Sequence, residues 1–565
     1  MATRFYFVNL QVVPVSGGEY FEALVGAPKY INPLYASLND VDSDISRLVF
    51  SSLMKHDNEG KLAADLAESY EMSEDGKTYT FKIKKDVKWH NGTNLTVDDI
   101  IFTFHAIKDP QYKSPLRSGF SGVDIERVDD ETVKFTLAES YAPFLDLMTF
   151  GIMPQDLWYQ VSPQGAGLAE LNLKPIGSGP YKFKSLTKDK FGQIKSYSLV
   201  INNNHYERAP YISGLTFKFF GNFEEAISAF NEGMVDGVSY VPKQLKDNLN
   251  AKNSINFYKL NLPQLTAIFF NQKKNVNLAD ARVRQALAFA INKDEIIKNA
   301  LRGDVENVTG PILNDNFAYD PDIKKYDYNK ETAGKLLDDA GWKIVEITEQ
   351  DLIDIEKKRA EDEEAEISGS EEEKVALGAG HWRSKKDDKA KDGKFLVIKL
   401  TTVSTDENIQ VAENIKKNWE ELGVKVVLDV IPGGQIQPDV IRPRNFEALF
   451  YGQVVGSDPD SYAFWHSSQA GSAGVNISDY SNKEADQLLE DARLTSDIGQ
   501  RKEKYKKFQQ IVAEEVPAIF MYSPTYTYIQ NKKIKGFDVK KVQSPFDRFS
   551  NIRDWYLKTG KKLIW

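Results

Sequence analysis

Histidines and acidic side chains are the groups in this 565-residue chain with chemistry to offer, and their spacing narrows what that chemistry is. The six histidines, His56, His90, His105, His205, His381 and His466, stand singly, with no two at metal-ligand spacing. There is no cysteine, which excludes disulfides, thiolate metal sites, a thiol nucleophile and a lipid-modified cysteine within the chain. Asp40-x-Asp42-x-Asp44 has the alternation of a calcium loop, but Ile45 replaces the glycine such a loop needs and Ser51 its closing glutamate. A helix start capped by Ser43 or Asp44, running over 44–55, is the expectation there. No His-Glu-x-x-His, Walker loop, Gly-x-Ser-x-Gly or dinucleotide fingerprint occurs. Acid pairs suited to hydrolysis are too common in the chain to be excluded by spacing alone. The motifs thus point to no metal site and no cofactor, and leave hydrolysis by an acid pair and non-covalent capture of a ligand both open.

The elements that would position such a site read as α/β. The turn tetrad Glu74-Asp75-Gly76-Lys77 leads into the alternating strand Thr78–Lys84, predicting a hairpin. Thr96-Val97-Asp98-Asp99 caps a helix, and Thr132–Leu137 alternates as a strand. Residues 1–16 read as an irregular arm, and Glu19–Val25 as a strand. Helices are predicted over Phe223–Asn231, Asp280–Ile291, 329–341 and 499–514. A strand at Phe395–Thr402, a helix at Glu407–Leu422 and a strand at Val424–Val430 predict a parallel crossover. Strands are also predicted over Leu265–Asn271 and near 518–529.

Charge is unevenly placed. Residues Glu346 to Glu373 hold thirteen acids and three bases, a net of −10, which is the formal net charge of the whole chain. The remainder is balanced, so no basic domain is left to neutralise phosphates and nucleic-acid binding is not expected. Residues 346–393 as a whole carry few apolar side chains and read as a solvated helix plus a disordered insertion, with a partner-binding arm as the alternative. No apolar run is long enough to span a membrane.

Several segments together resemble a known family. Asp65–Tyr70, Ser73–Phe81, Val87-Lys88-Trp89-His90-Asn91-Gly92 and Thr96–Ile100 are similar to the signature block of the family 5 extracellular solute-binding proteins, which include the oligopeptide-, dipeptide- and nickel-binding proteins of ABC importers. Gly177-Ser178-Gly179-Pro180-Tyr181, Phe269-Phe270-Asn271, Ala281–Leu287, Ala290-Ile291-Asn292-Lys293, Ala340-Gly341-Trp342 and Gly423-Val424 follow in the family's order. The resemblance implies a type II, cluster C periplasmic-binding-protein fold: two ligand-enclosing α/β lobes joined by a hinge, plus an extra α+β domain. The expected division is an arm at 1–17, lobe I at 18–58, 172–268 and 512–565, the extra domain at 59–171, and lobe III at 269–511 enclosing the insertion. It implies a monomer outside the cytoplasmic membrane, its export signal absent from this chain. The monomer would capture short peptides and pass them to ABC permease subunits. A nickel or metallophore binder is the alternative within the family; a hydrolase or a surface interaction protein is the alternative outside it.

Site residues follow from the same resemblance. Asn32, Pro33 and Tyr35 lie in the stretch similar to a ligand-facing turn. Leu265, Thr266 and Ile268 lie on the hinge-side strand, and Gln453, Val455, Asp458, Trp465 and His466 lie along the loop around Asp458-Pro459-Asp460. Thr266 and Gln453 are expected to hydrogen-bond ligand backbone. Aligned on that loop, the acid with which peptide-binding relatives anchor the ligand's α-ammonium falls on Val455, with Asp458 as the possible substitute.

Overall fold

The computed structural model describes residues 10–250, 252–353, 377–385 and 394–563. The chain divides into two compact units, one of Met1–Pro263, Leu494–Ser496 and Thr525–Trp565, the other of Gln264–Arg493 and Asp497–Pro524.

The first unit is built on a mixed sheet. Glu19–Val25 pairs in parallel with Gly214–Phe220 and with the short Gly237–Val238. Ile194–Ile201 and Tyr181–Lys188 extend the sheet antiparallel on one side, and the second half of Ala518–Asn531 pairs with Gly237–Val238 and Ile255–Asn261 on the other. Helix Asp40–Val49 covers it through Val41, Ile45, Leu48 and Val49, the i, i+4, i+7, i+8 stripe of an amphipathic helix. This helix starts four residues earlier than its sequence suggests. Asn39 caps it by accepting the Val41 N–H, Asp42 accepts the backbone N–H groups of Lys29 and Tyr30, and Asp44 is buried in mid-helix. The reason is a partner 504 positions away: Arg548, fully buried, makes paired bonds of 2.6 Å to both Asp44 oxygens. The same guanidinium meets Glu22 Oε1 at 2.7 and 2.9 Å, while the Tyr20 and Tyr528 hydroxyls donate to Glu22 Oε2. Two carboxylates thus share one cation, and burial pushes the Asp44 carboxyl up to about 6 against the pull of Arg548.

A separate core in this unit forms around the antiparallel sheet of Ala67–Met72, Thr78–Ile83, Thr132–Leu137 and Val123–Arg127. The predicted hairpin and capped helix are both present: Val97–Lys108 starts at a Thr96/Asp99 capping box and lays Phe104 onto Phe135. Of the arm expected to be irregular over 1–16, residues 1–9 lie outside the described residues and Leu10–Val15 is instead a strand, paired antiparallel with Lys558–Leu563. Its partner lies at the far end of the sequence, so no local pattern announces it.

In the second unit, Val397–Val403, helix Asp406–Glu420 and Lys425–Ile431 form the predicted parallel crossover. The sheet continues through Ala448–Val454 and Gln264–Phe270 to the first half of Ala518–Asn531, which also pairs with Val305–Asn307. Alternate side chains of Gln264–Phe270 enter two cores, Ile268 and Phe270 on one face, Leu265, Ala267 and Phe269 on the other. Trp419, buried on the first face, donates its indole N–H to the Leu287 carbonyl.

The charged stretch 346–393 is not uniform. Gly380–Lys385 is a strand between Lys343–Ile347 and Lys394–Phe395. Its Arg383 is buried, bonded to Asp338 Oδ1 at 2.5 Å and to the carbonyls of Trp342 and Leu422. The disorder expected of 346–393 therefore does not hold at 377–385, because Trp382 and Arg383 find partners outside the stretch. The rest of it, 354–376 and 386–393, lies outside the described residues.

Candidate functional site

Of the expected ligand-facing residues, Asn32, Pro33 and Tyr35 are committed within the first unit. Asn32 is wholly buried, its Oδ1 accepting the Leu34 N–H and its Nδ2 donating to Asn172 Oδ1. Pro33 is buried against Gly151, and Tyr35 packs 5.7 Å from Tyr30, its hydroxyl pushed up to about 12 by burial.

In the second unit the structure brings the remaining candidates onto adjacent strands and one loop. Thr266 stands opposite Gly452, and Leu265 opposite Gln453. Leu265 and Ile268 point into the two cores and serve as packing. Thr266 is buried on the strand between Gly452 and Tyr522, whose hydroxyl it helps to hold with Glu407. Gln453 is nearly buried and donates to the Val475 carbonyl at 3.4 Å, while Val455 is half-buried on the apolar core below. Trp465 is core, ringed by Phe269, Phe520 and Tyr480 at 5.7–6.3 Å.

The pairing of Ala448–Val454 is lopsided. Along Gln264–Phe270 it is paired from end to end, Phe270 with Ala448 through Gln264 with Val454. Along Val397–Val403 it pairs only at Ala448, Leu449 and Phe450. Tyr451 to Val454 therefore present a flank with no strand partner among the described residues. A backbone edge of this kind accepts an extended peptide as an added strand.

The loop that closes this edge is clamped. Arg501 meets both oxygens of Asp458, Nη1 to Oδ2 at 3.0 Å and Nη2 to Oδ1 at 2.7 Å, and Arg493 meets the single oxygen Asp460 Oδ2 through Nε at 3.0 Å and Nη2 at 2.7 Å. Both arginines stack on aromatic rings, Arg493 over Tyr462 and Arg501 near Phe317 and Tyr505. A bidentate guanidinium occupies both oxygens of the carboxylate and fixes its orientation. Asp458, which the sequence offered as the substitute acid, is thus engaged by Arg501, and Val455 is apolar. His466 is likewise spent. Its Nδ1 accepts the Ser468 N–H, so the proton sits on Nε2, 3.1 Å from Glu490 Oε1, with the ring stacked on Tyr462.

Arg501 and Arg493 were invisible in the sequence, because their partners lie 43 and 33 positions away. His90 was legible only as part of a motif. The structure shows it latching the Gly177-Ser178-Gly179 crossing: Nδ1 accepts the Gly177 N–H at 3.2 Å and Nε2 lies 3.1 Å from the Gly179 carbonyl. Burial, outweighing the pull of that carbonyl, pushes its imidazole down to about 4. The glycines are obligatory here, since a Cβ on Gly177 would lie 1.9 Å from the Val49 carbonyl oxygen.

Among the described residues no group of three or more His, Cys, Asp or Glu side chains is placed to hold a metal ion, and no helix is long and apolar enough to cross a membrane.

The family model of bacterial extracellular solute-binding proteins, family 5 (middle), matches residues 61–475. The chain is 28% identical over 557 residues to the oligopeptide-binding protein AppA of Bacillus subtilis, covering 96% of this chain and 92% of that one. It is 25% identical over 539 residues to the dipeptide-binding protein of Escherichia coli, covering 91% of each. The solved structure of B. subtilis AppA in complex with a nonapeptide superposes with a TM-score of 0.68 at 27% identity, covering 97% of this chain and 100% of that one.

Proposed function

Because the chain belongs to the bacterial extracellular solute-binding proteins of family 5, we propose that it is the extracytoplasmic component of an ABC importer. It captures short peptides, releases them unchanged, and hands them to the permease subunits. The observation that carries this reading is likeness over nearly the whole chain to an oligopeptide-binding protein whose solved structure holds a nonapeptide. The open strand edge at Tyr451–Val454 supports it, since an extended peptide has backbone groups that need such partners.

In this reading the peptide backbone runs along Tyr451–Val454, and Gln453 supplies a side-chain amide. Thr266 and Val455 shape the adjoining surface. Leu265, Ile268 and Trp465 support it from the core, and Asn32, Pro33 and Tyr35 brace the first unit. Asp458 and His466 hold the loop and leave the peptide's amine to solvent or to other groups. Micromolar affinity, about −8 kcal/mol, suits a receptor that must also release.

Mass spectrometry of whatever leaves the purified protein on denaturation tests the assignment. Peptides are expected; a metal chelate or a sugar in their place would redirect it. A thermal-shift screen against a peptide library that stabilises the protein with no member would refute it.

A further inference from the structure

The unit that carries the open strand edge also contains a pocket of about 350 Å³, within the size range of small-molecule sites. Its floor is apolar, with Ile291, Val516 and Ile519, and its polar wall carries two cations and two acids, Lys293, Lys325, Asp294 and Asp327. Among the described residues Lys293 forms no ion pair, and its Nζ reaches the Val308 carbonyl only at 3.5 Å, the far end of hydrogen-bond range. Asp294 and Asp327 lie near enough to favour its charge, yet neither closes on it. Burial nevertheless wins and pushes the Lys293 ammonium down to about 8.

The pocket wall is also strained. Val516 follows helix Ile498–Glu515 in the left-handed region, φ 49° and ψ 56°, where a β-branched residue is an outlier. Buried Arg284 holds it there, its Nε bonded to the Glu515 and Val516 carbonyls at 2.9 and 3.0 Å.

A ligand that completes this wall brings a carboxylate for Lys293, an ammonium for the two aspartates and an apolar body for the floor. We propose that the pocket is a binding site for a free α-amino acid with an apolar side chain, separate from the peptide edge. The carboxylate meets Lys293, the ammonium faces Asp327 and Asp294, and the side chain lies on Ile291, Val516 and Ile519.

Calorimetric titration of the full chain with L-leucine, leucinamide and N-acetyl-leucine tests this. L-leucine is expected to bind saturably. Leucinamide, without a carboxylate, and N-acetyl-leucine, without an ammonium, are each expected to bind at least tenfold more weakly. Lys293→Met is expected to weaken L-leucine at least tenfold with an unchanged circular dichroism spectrum. No saturable binding of L-leucine or L-phenylalanine would overturn the proposal, as would equal binding of the three compounds. Unchanged binding by Lys293→Met would overturn it too, because leucine lodged on the peptide edge has no contact with that lysine. The three-ligand comparison uses the unaltered protein and stands even if the variant does not fold.

Discussion

His90 should make the stability of the first unit depend on pH in a way that one substitution removes. The imidazole binds the Gly177–Gly179 crossing through both nitrogens in its neutral form. Protonation would turn Nδ1 into a donor facing the Gly177 N–H, itself a donor. The folded pKa, about 4, lies below the ordinary 6.5. For a histidine lowered in the folded state, the unfolded chain takes the proton first. The stability is therefore fully present above about pH 6.5 and is lost as pH falls from there towards 4. Between pH 8 and pH 5 the loss is about 2 kcal/mol, approaching about 3 kcal/mol below pH 4. Asp44, raised to about 6, moves the opposite way over the same range, and His205, lowered to about 4, moves with His90. Both are common to wild type and a His90→Gln variant, so the difference between the two proteins isolates His90. Urea unfolding of each, followed by tryptophan fluorescence at pH 8 and pH 5, gives that difference. The variant is expected to be less stable at pH 8 by about 1–2 kcal/mol for its lost bonds, and to recover about 2 kcal/mol relative to wild type at pH 5. A difference constant to within about 0.5 kcal/mol across that range would refute the neutral latch.

Other outcomes follow from the same geometry. Gly177→Ala places a methyl 1.9 Å from the Val49 carbonyl oxygen and is expected to destabilise by about 3 kcal/mol or to prevent folding, read from the melting transition. Arg548→Met leaves Glu22 and Asp44 buried without a cation and is expected to cost about 3–5 kcal/mol in urea unfolding; a loss below about 1 kcal/mol would mean that the triad is not closed. Since Asp458 is taken by Arg501, an N-acetylated peptide is expected to bind within about threefold, ~0.6 kcal/mol, of its free-amine counterpart by calorimetry; a tenfold preference for the free amine would put an anchoring acid back in the site.

What the sequence made legible was whatever is encoded locally. The Thr96/Asp99 capping box, the Asp75-Gly76 hairpin and the crossover around Asp406–Glu420 all depend on neighbours within one element, and they appear within a residue or two of where pattern puts them. The family motifs, too, are mostly such local devices. What escaped were long-range pairings. Asp44 looks like a helix cap until Arg548 is known, Asp458 looks like a spare carboxylate until Arg501 closes on it, and Leu10–Val15 looks irregular without Lys558–Leu563. The candidate site shows the same limit. Leu265, Ile268 and Trp465 were named by position, but burial makes them support, and the unpaired flank of Tyr451–Val454 is a property of register that composition does not carry.

The shared guanidinium of Arg548 also bears on the order of events as the chain is made. Glu22 and Asp44 leave the ribosome more than 500 residues before the cation that balances them, and the first strand waits as long for Lys558–Leu563. Until then, closing the first unit would bury two acids with no counter-ion, which costs several kcal/mol per charge. The sheet that carries Glu22 and the helix that carries Asp44 are thereby expected to close last, while the local core around Thr78–Ile83 has no such wait. For an exported chain, that delay would leave this part threadable for as long as its carboxyl end is still to come.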